Sequence, residues 1–221
     1  MDNSVERQAD PANVKLSVWE KISYSFTDMA GNLLYVTISS YILYFYTDVF
    51  GISVAAAGTI LLVARFFDAI SAPTWGSIVD HTHTKWGQSR PFFLWMCIPF
   101  AVATWLAFTA PNMSDSMKVW YAGFTYILAA GVIYTGIQTP ITAILPSLTT
   151  NPQERINANT FRMCGGAIGS FITSTFCLPL VGFFGKGNEK MGFMITMFIF
   201  GVIAVILLYL AFKGMTERNI S

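Results

Sequence analysis

The feature that most constrains this chain is where its charges are missing. No Asp, Glu, Lys or Arg lies between Asp28 and Asp48, Arg90 and Asp115, Lys118 and Glu154, Arg162 and Lys186, or Lys190 and Lys213. A helix needs about 20 mostly apolar residues to cross a hydrocarbon layer roughly 30 Å thick, and each gap approaches or exceeds that length. A sixth stretch, Val54 to Val79, is broken only by Arg65 and Asp68. The pattern predicts six spans over residues 23–49, 54–79, 91–111, 119–146, 160–184 and 191–212. The runs are continuous and do not alternate, which selects helices over membrane strands. Pro73, Pro140, Pro146 and Pro179 fit a helix bundle, in which neighbours re-satisfy freed carbonyls.

Composition agrees. Of the 221 residues, 54% are hydrophobic and only 11% are charged, against about 25% charged in a soluble domain. That excludes a disordered chain, a basic nucleic-acid-binding face and almost any soluble globular domain of this size. The expected fold class is an all-α polytopic membrane protein. Its expected organisation is a tail over residues 1–21, a six-helix bundle over 22–212 and a following loop from 213 to 221.

Basic residues predict the orientation. An even number of spans puts both termini on one side, together with Arg7, Lys15, Lys21, Lys85, Arg90, Arg155, Lys213 and Arg218. The other side has Lys118, Lys186 and Lys190. The richer side is expected to be cytoplasmic, in the cell membrane. The polar first 21 residues lack the apolar core of a cleaved signal peptide. The short connection Gly51–Ile52–Ser53 predicts that the first two spans are antiparallel neighbours. Cys97, Cys164 and Cys177 lie in apolar segments without CxxC spacing and are expected to pack. The run Tyr41, Tyr44, Phe45 and Tyr46 is expected to form an interfacial aromatic belt.

Charges stranded in the spans carry the functional argument. A charge at mid-helix costs on the order of 2.5–3.5 kcal/mol on insertion scales, so each needs a partner or a watery cavity. Asp28 and Asn32 share a face of span one, four residues apart. Asp28 either snorkels to the near interface or serves a site, and Asn32 either bonds a neighbouring helix or meets a solute. Arg65 and Asp68, three apart in span two, form either a self-compensating ion pair or a gated site where Asp68 takes up a proton or cation. Arg162 has no acidic residue within a turn, so it snorkels or meets another helix or a ligand through its planar fork. In span four Tyr134, Gln138 and Thr142 recur every four residues, with Thr135 alongside. This stripe could line an aqueous cavity for a polyhydroxylated solute or bond adjacent helices. Gly165 and Gly169 form a GxxxG, with Gly166 beside them, that favours close helix approach.

His81 and His83 are too few for a zinc site. Neither a cofactor nor a metal site is expected, and no GxSxG, HExxH or P-loop points to an enzyme.

Longer strings resemble a family. YFYTDVFG (44–51), ARFFDAISAPTWGSIVD (64–80) and KWGQSRPFFLW (85–95) are similar to the glycoside–pentoside–hexuronide:cation symporters, the melibiose-permease-like branch of the major facilitator superfamily. KISYSFTDMAGN (21–32), YTGIQTP (134–140) and the glycine run after Arg162 fit as well, so the likeness covers the chain in order. The resemblance implies a fold of twelve helices in two halves, of which this chain looks like the N-terminal one, with its end at the central cytoplasmic loop. It implies secondary transport of a sugar or glycoside by alternating access, with a C-terminal half or a second copy as partner.

By position, Asp68 matches the family's first cation-site carboxylate, while the second falls on Ala72. A proton, needing one carboxylate, is therefore expected over sodium, with Asp68, Arg65 and Asp28 at the coupling site. Two sugar-site carboxylates fall on Asn32 and Gln138, and the stacking tryptophan on Thr142. Tyr134 and Arg162 are retained, so Asn32, Tyr134, Gln138, Thr142 and Arg162 make a neutral, hydrogen-bonding sugar wall. Asp28 belongs to a variant of other branches and would supply the missing negative charge. Asp80, Lys85, Gly87 and Arg90 resemble the loop signature that latches the two halves. The alternative is a non-transporting membrane protein, a half that serves as sensor or assembly partner, or an inert fragment.

Overall fold

A computed structural model describes residues 15–218. Among them the chain forms six long helices in an up-and-down bundle. They are α1 (Val18–Tyr44, prolonged by a π-helical stretch Phe45–Val49), α2 (Val54–Asp80), α3 (Arg90–Ala107), α4 (Asp115–Leu148), α5 (Pro152–Gly185) and α6 (Glu189–Gly214). The expectations that fall on residues 1–14, Arg7 included, lie outside the described residues.

Helices α2 to α6 are each long and apolar enough to cross a membrane. Helix α1 is as long as α2, with 27 residues in each, but polar side chains dilute it. Ser23, Thr27, Asp28 and Thr37 are buried, so its polar groups turn inward, towards α5 and α6, which enclose it most closely.

Local signals set the helix starts. Ser17 accepts the Glu20 amide at 3.1 Å while Glu20 accepts the Ser17 amide at 2.9 Å, a capping box that begins α1 four residues before the expected bundle boundary. Asn151 caps α5 through the amides of Gln153 and Glu154, with Pro152 in the first turn. Helix α5 therefore starts eight residues before the expected span, and the connection from α4 shrinks to residues 149–151. Helix α4 carries a second π-helical stretch, Ile127–Ile133, against α2 and α3.

Helices α1, α5 and α6 pack on one another, and α3, α4 and α2 follow from α6. Helix α6 lies on α3, α3 on α4 and α4 on α2. Despite the short connection, α1 and α2 touch little. The expectation that they are neighbours fails because α2 spends its contacts on α4. Helix α4 returns to α1 and α5 through few contacts as well.

The closest approach is that of α1 and α5. A Cβ on Gly165 would collide with the carbonyl oxygen of Ser25, and one on Gly169 would lie 2.5 Å from that of Met29. These glycines let the two backbones touch. At the end of the bundle away from the N-terminus, Phe45, Phe108 and Phe193 cluster with ring centroids 5.2–5.6 Å apart. Phe45 and Tyr46 are fully buried there, and Tyr46 donates to the Ala122 carbonyl at 3.0 Å. The expected aromatic belt is thus largely a core plug, with Tyr44 alone of that run exposed. Cys97 and Cys177 are buried as expected, whereas Cys164 is exposed.

Replacing Gly165 with Leu forces α5 off α1. The expected loss is about 1–3 kcal/mol, typical of overpacking, read as a lowered melting temperature of the detergent-solubilised chain. Gly182→Leu, where a Cβ meets nothing within 4 Å, should leave it unchanged.

Candidate functional site

The gap that α4 leaves beside α1 and α5 holds the first cluster. Arg162 on α5 reaches across to Asp28 on α1, its Nη1 lying 3.1 and 3.0 Å from the two carboxylate oxygens. The side chains are 16% and 12% exposed, so this is a largely enclosed ion pair. The Arg162 Nε donates to Asn159 Oδ1 at 3.0 Å, which fixes the guanidinium plane. Arg162, Asn159, Arg155, Tyr24 and Thr142 line a cavity of about 310 Å³ together with Leu145 and Ile156. The Tyr24 hydroxyl donates to the Ile141 carbonyl at 2.8 Å and ties α1 to α4 behind it.

Asn32 sits one turn along α1. Its Nδ2 donates to the Asp28 carbonyl at 2.9 Å and its Oδ1 accepts from Ser170 at 3.4 Å. A Cβ on Gly166 would lie 3.0 Å from Asn32 Nδ2 and 3.2 Å from Asp28 Oδ2, so the glycine run also makes room for this polar pair.

The second cluster lies between α2 and α4. Asp68 Oδ1 accepts from the Thr135 hydroxyl at 2.8 Å. Arg65 approaches Asp68 only to 3.8 Å, and the two side chains are 69% and 39% exposed. Tyr35, Arg65, Asp68, Tyr126 and Gly131 border a cleft of about 10 Å³, a volume that holds one water or one small ion. The rings of Tyr35 and Tyr134 stack at 4.0 Å between their centroids. In the sequence Thr135 is one member of the α4 polar stripe, and its bond to Asp68 is what singles it out. Along α4, Thr135 and Thr142 are two turns apart, roughly 10 Å at 1.5 Å per residue. One helix therefore carries residues of both clusters.

The expected sugar-wall residues divide accordingly. Arg162 and Thr142 share the cavity, and Asn32 adjoins it through Asp28. Tyr134 leans instead towards the Asp68 cluster through Tyr35. Gln138 stands half-buried between the two on α4. Of the expected coupling residues, Asp68 and Arg65 adjoin, whereas Asp28 belongs to the Arg162 cluster.

The loop from Asp80 to Arg90 sits at the end of the bundle where α1 begins. Lys85 is exposed, and the Asp80 carbonyl accepts from Gln88 Nε2 at 3.0 Å. Gly87 and Arg90 are engaged within the chain itself. Arg90 Nη2 donates to the Phe212 carbonyl at 2.8 Å and its guanidinium lies 5.1 Å from the centre of the Phe212 ring. No group of three or more potential metal ligands occurs among the described residues.

Charged pairs inside a bundle of helices long and apolar enough to cross a membrane mark a multi-pass membrane protein. Residues 23–220 match the family model described as MFS/sugar transport protein, and the chain belongs to that family. It is 48% identical over 96% of its length to the isoprimeverose transporter of Lactiplantibacillus pentosus. It is 39% identical over 92% of its length to the "Putative glycoside/cation symporter YagG" of Escherichia coli (strain K12). It is 35% identical, again over 92%, to the inner membrane symporter YicJ of the same organism. The matched regions make up 46%, 44% and 44% of those proteins, so the chain spans about half their length.

The Asp28–Arg162 pair is open to a double-mutant cycle. Asp28→Asn or Arg162→Met alone leaves an enclosed charge without its partner, at roughly 3 kcal/mol each. The double substitution should cost clearly less than the two single losses added, as measured by thermal unfolding in detergent.

Proposed function

We propose that this chain forms the N-terminal half of an alternating-access symporter that carries a neutral sugar or glycoside, coupled to a proton. The observation that carries the reading is the Asp28–Arg162 pair, whose Arg162 lines a cavity of about 310 Å³, within the usual size range for a small-molecule site. The names of the relatives support sugar symport.

Chemistry supports the division of labour. The cavity wall presents donors and acceptors in Thr142, Asn159 and Tyr24, with Asn32 and Gln138 nearby, suited to hydroxyl groups. Asp68 is the carboxylate of the coupling site, with Thr135 donating to it and Arg65 beside it. A small cleft with one carboxylate favours a proton over sodium, which takes several oxygen ligands. Movement of α4 as substrate binds near Thr142 would be felt at Thr135, two turns away on the same helix. A six-helix C-terminal half completes the cavity, since alternating access moves one half against the other around a shared site. The end carrying the N-terminus faces the cytoplasm, in keeping with its basic residues.

Asp28 answers the charge of Arg162, while Arg155, the other guanidinium on the wall, donates to the Thr149 carbonyl, so the charge nearest Asn32 is compensated, which suits an uncharged solute. In Asp28→Asn the Arg162 guanidinium is left uncompensated. The preference for a neutral xyloside over a glucuronide, read as the ratio of their affinities, should then shift by about tenfold towards the anion. An unchanged ratio contradicts the charge-balance reading.

Coupling is tested in vesicles holding the protein together with its C-terminal half. Sugar accumulation should follow an imposed pH gradient, and Asp68→Asn should abolish accumulation while retaining exchange of labelled for unlabelled sugar. Gradient-driven accumulation in Asp68→Asn would remove Asp68 from the coupling site.

A further inference from the structure

Helix α3 begins without a cap of its own. The Ser89 side chain at its N-cap position makes no capping bond, Pro91 follows in the first turn, and no carboxylate occurs there locally. The carboxylate comes from Glu217, more than a hundred residues away. Glu217 Oε1 accepts from the amides of Ser89 at 3.0 Å and Arg90 at 2.7 Å, and Oε2 accepts from Gln88 at 2.9 Å. Glu217 is only 9% exposed. Three otherwise orphaned donors at a helix N-terminus, with the positive end of the helix dipole behind them, make a strong seat for this anion.

The loop is shaped around the seat. Gly87 has a φ of +113°, a region that L side chains rarely adopt, and a Cβ on it would lie 2.5 Å from Cδ of Glu217. Trp86 meets the Phe212 ring edge-on at 5.9 Å, and Arg90 bonds the Phe212 carbonyl, so both flanks of the seat rest on the last turns of α6. The residues around Glu217 reach two more helices. Met215 is fully buried. The Arg218 amide donates to the Ser147 carbonyl in the last turn of α4 at 2.9 Å, and Arg218 Nη2 lies 2.6 Å from Glu20 Oε1 in the first turn of α1.

We propose that residues 215–218 form an intramolecular clasp, in which Glu217 is the positioning residue that holds the Asp80–Arg90 loop against α6 while Arg218 ties α4 to α1. The clasp bridges the place where the bundle is weakest, because α4 has few other contacts with α1. It ties the α2–α3–α4 side of the bundle to the side where α1, α5 and α6 pack on one another. On the transport reading above, it sets where Lys85 and Arg90 stand when the two halves meet. The clasp itself stands without that reading, since every contact lies within this chain.

The test is residue-resolved hydrogen exchange on the 221-residue chain in lipid nanodiscs. Glu217→Ala should speed exchange of the Gln88, Ser89 and Arg90 amides about tenfold, the loss of charge-assisted hydrogen bonds, while the α1–α5 contact keeps its protection. Added formate, a free carboxylate small enough for the vacated seat, should restore protection in Glu217→Ala. It should fail to do so in Gly87→Ala, where the seat is blocked. Glu217→Gln keeps the side chain's volume and one acceptor oxygen, and gives the same local signature, smaller in size, should the alanine variant not fold. Unchanged exchange at these amides, faster exchange spread evenly over the bundle, or absence of formate rescue would each overturn the proposal.

Discussion

The arrangement of the polar clusters depends on the contact of two backbones. Helix α5 can lie against α1 only because Gly165 and Gly169 present no side chain to Ser25 and Met29. That approach brings the guanidinium of Arg162 within 3.0 Å of Asp28 and leaves Asn32 space beside Gly166. Without it, each charged group would be stranded in a hydrocarbon layer at a cost of a few kcal/mol. The small residues and the charges are therefore one device. The glycines supply the proximity, and the ion pair makes the polar residues tolerable.

Much of the fold was legible because charge is so expensive in hydrocarbon. The five charge-free intervals and the near-clean stretch from Val54 to Val79 each became one helix. Helix ends were less legible. A charge-free interval marks what can sit in lipid, whereas a helix ends where its backbone is capped. Asn151 followed by Pro152, with Glu154 beyond, was the readable signal for the start of α5, and it lay outside the apolar interval. Neighbours were harder still. A three-residue connection between α1 and α2 fixes that their ends meet and leaves the rest of their length free to diverge.

The same divide runs through the candidate site. Spacing identified Arg65, Asp68, Asp28 and Arg162 as out of place, but could not pair them across helices. The i,i+3 relation suggested Arg65 as the partner of Asp68, yet the shorter contact is the 2.8 Å bond from Thr135, and Arg65 stands 3.8 Å away. No local spacing relates Asp28 to Arg162, and the close approach of α5 is what brings the two together. In both cases a long-range helix contact, invisible in local spacing, supplies the shortest bond to the carboxylate.

Glu217 shows a limit of a different kind. In sequence it is one of several charges in a polar stretch after an apolar run, and nothing about it points to residues 88–90. The signal lies at the other end of the contact. Ser89 is followed by Arg90, Pro91 and Phe92, so no acid stands three residues on to complete a capping box, and yet a long apolar helix starts there. The amides that open such a helix cannot be buried unpaired without a penalty of about 1–3 kcal/mol each. Gly87, with no side chain, marks where something must come close. An uncapped helix start beside a glycine is thus a question posed by the sequence, and a distant carboxylate is a physically sufficient answer. The same reasoning separates Gly87 from glycines such as Gly58 and Gly76, whose Cβ would meet nothing within 4 Å. The information is present as an unmet requirement at one site, and only the folded chain reveals which residue meets it.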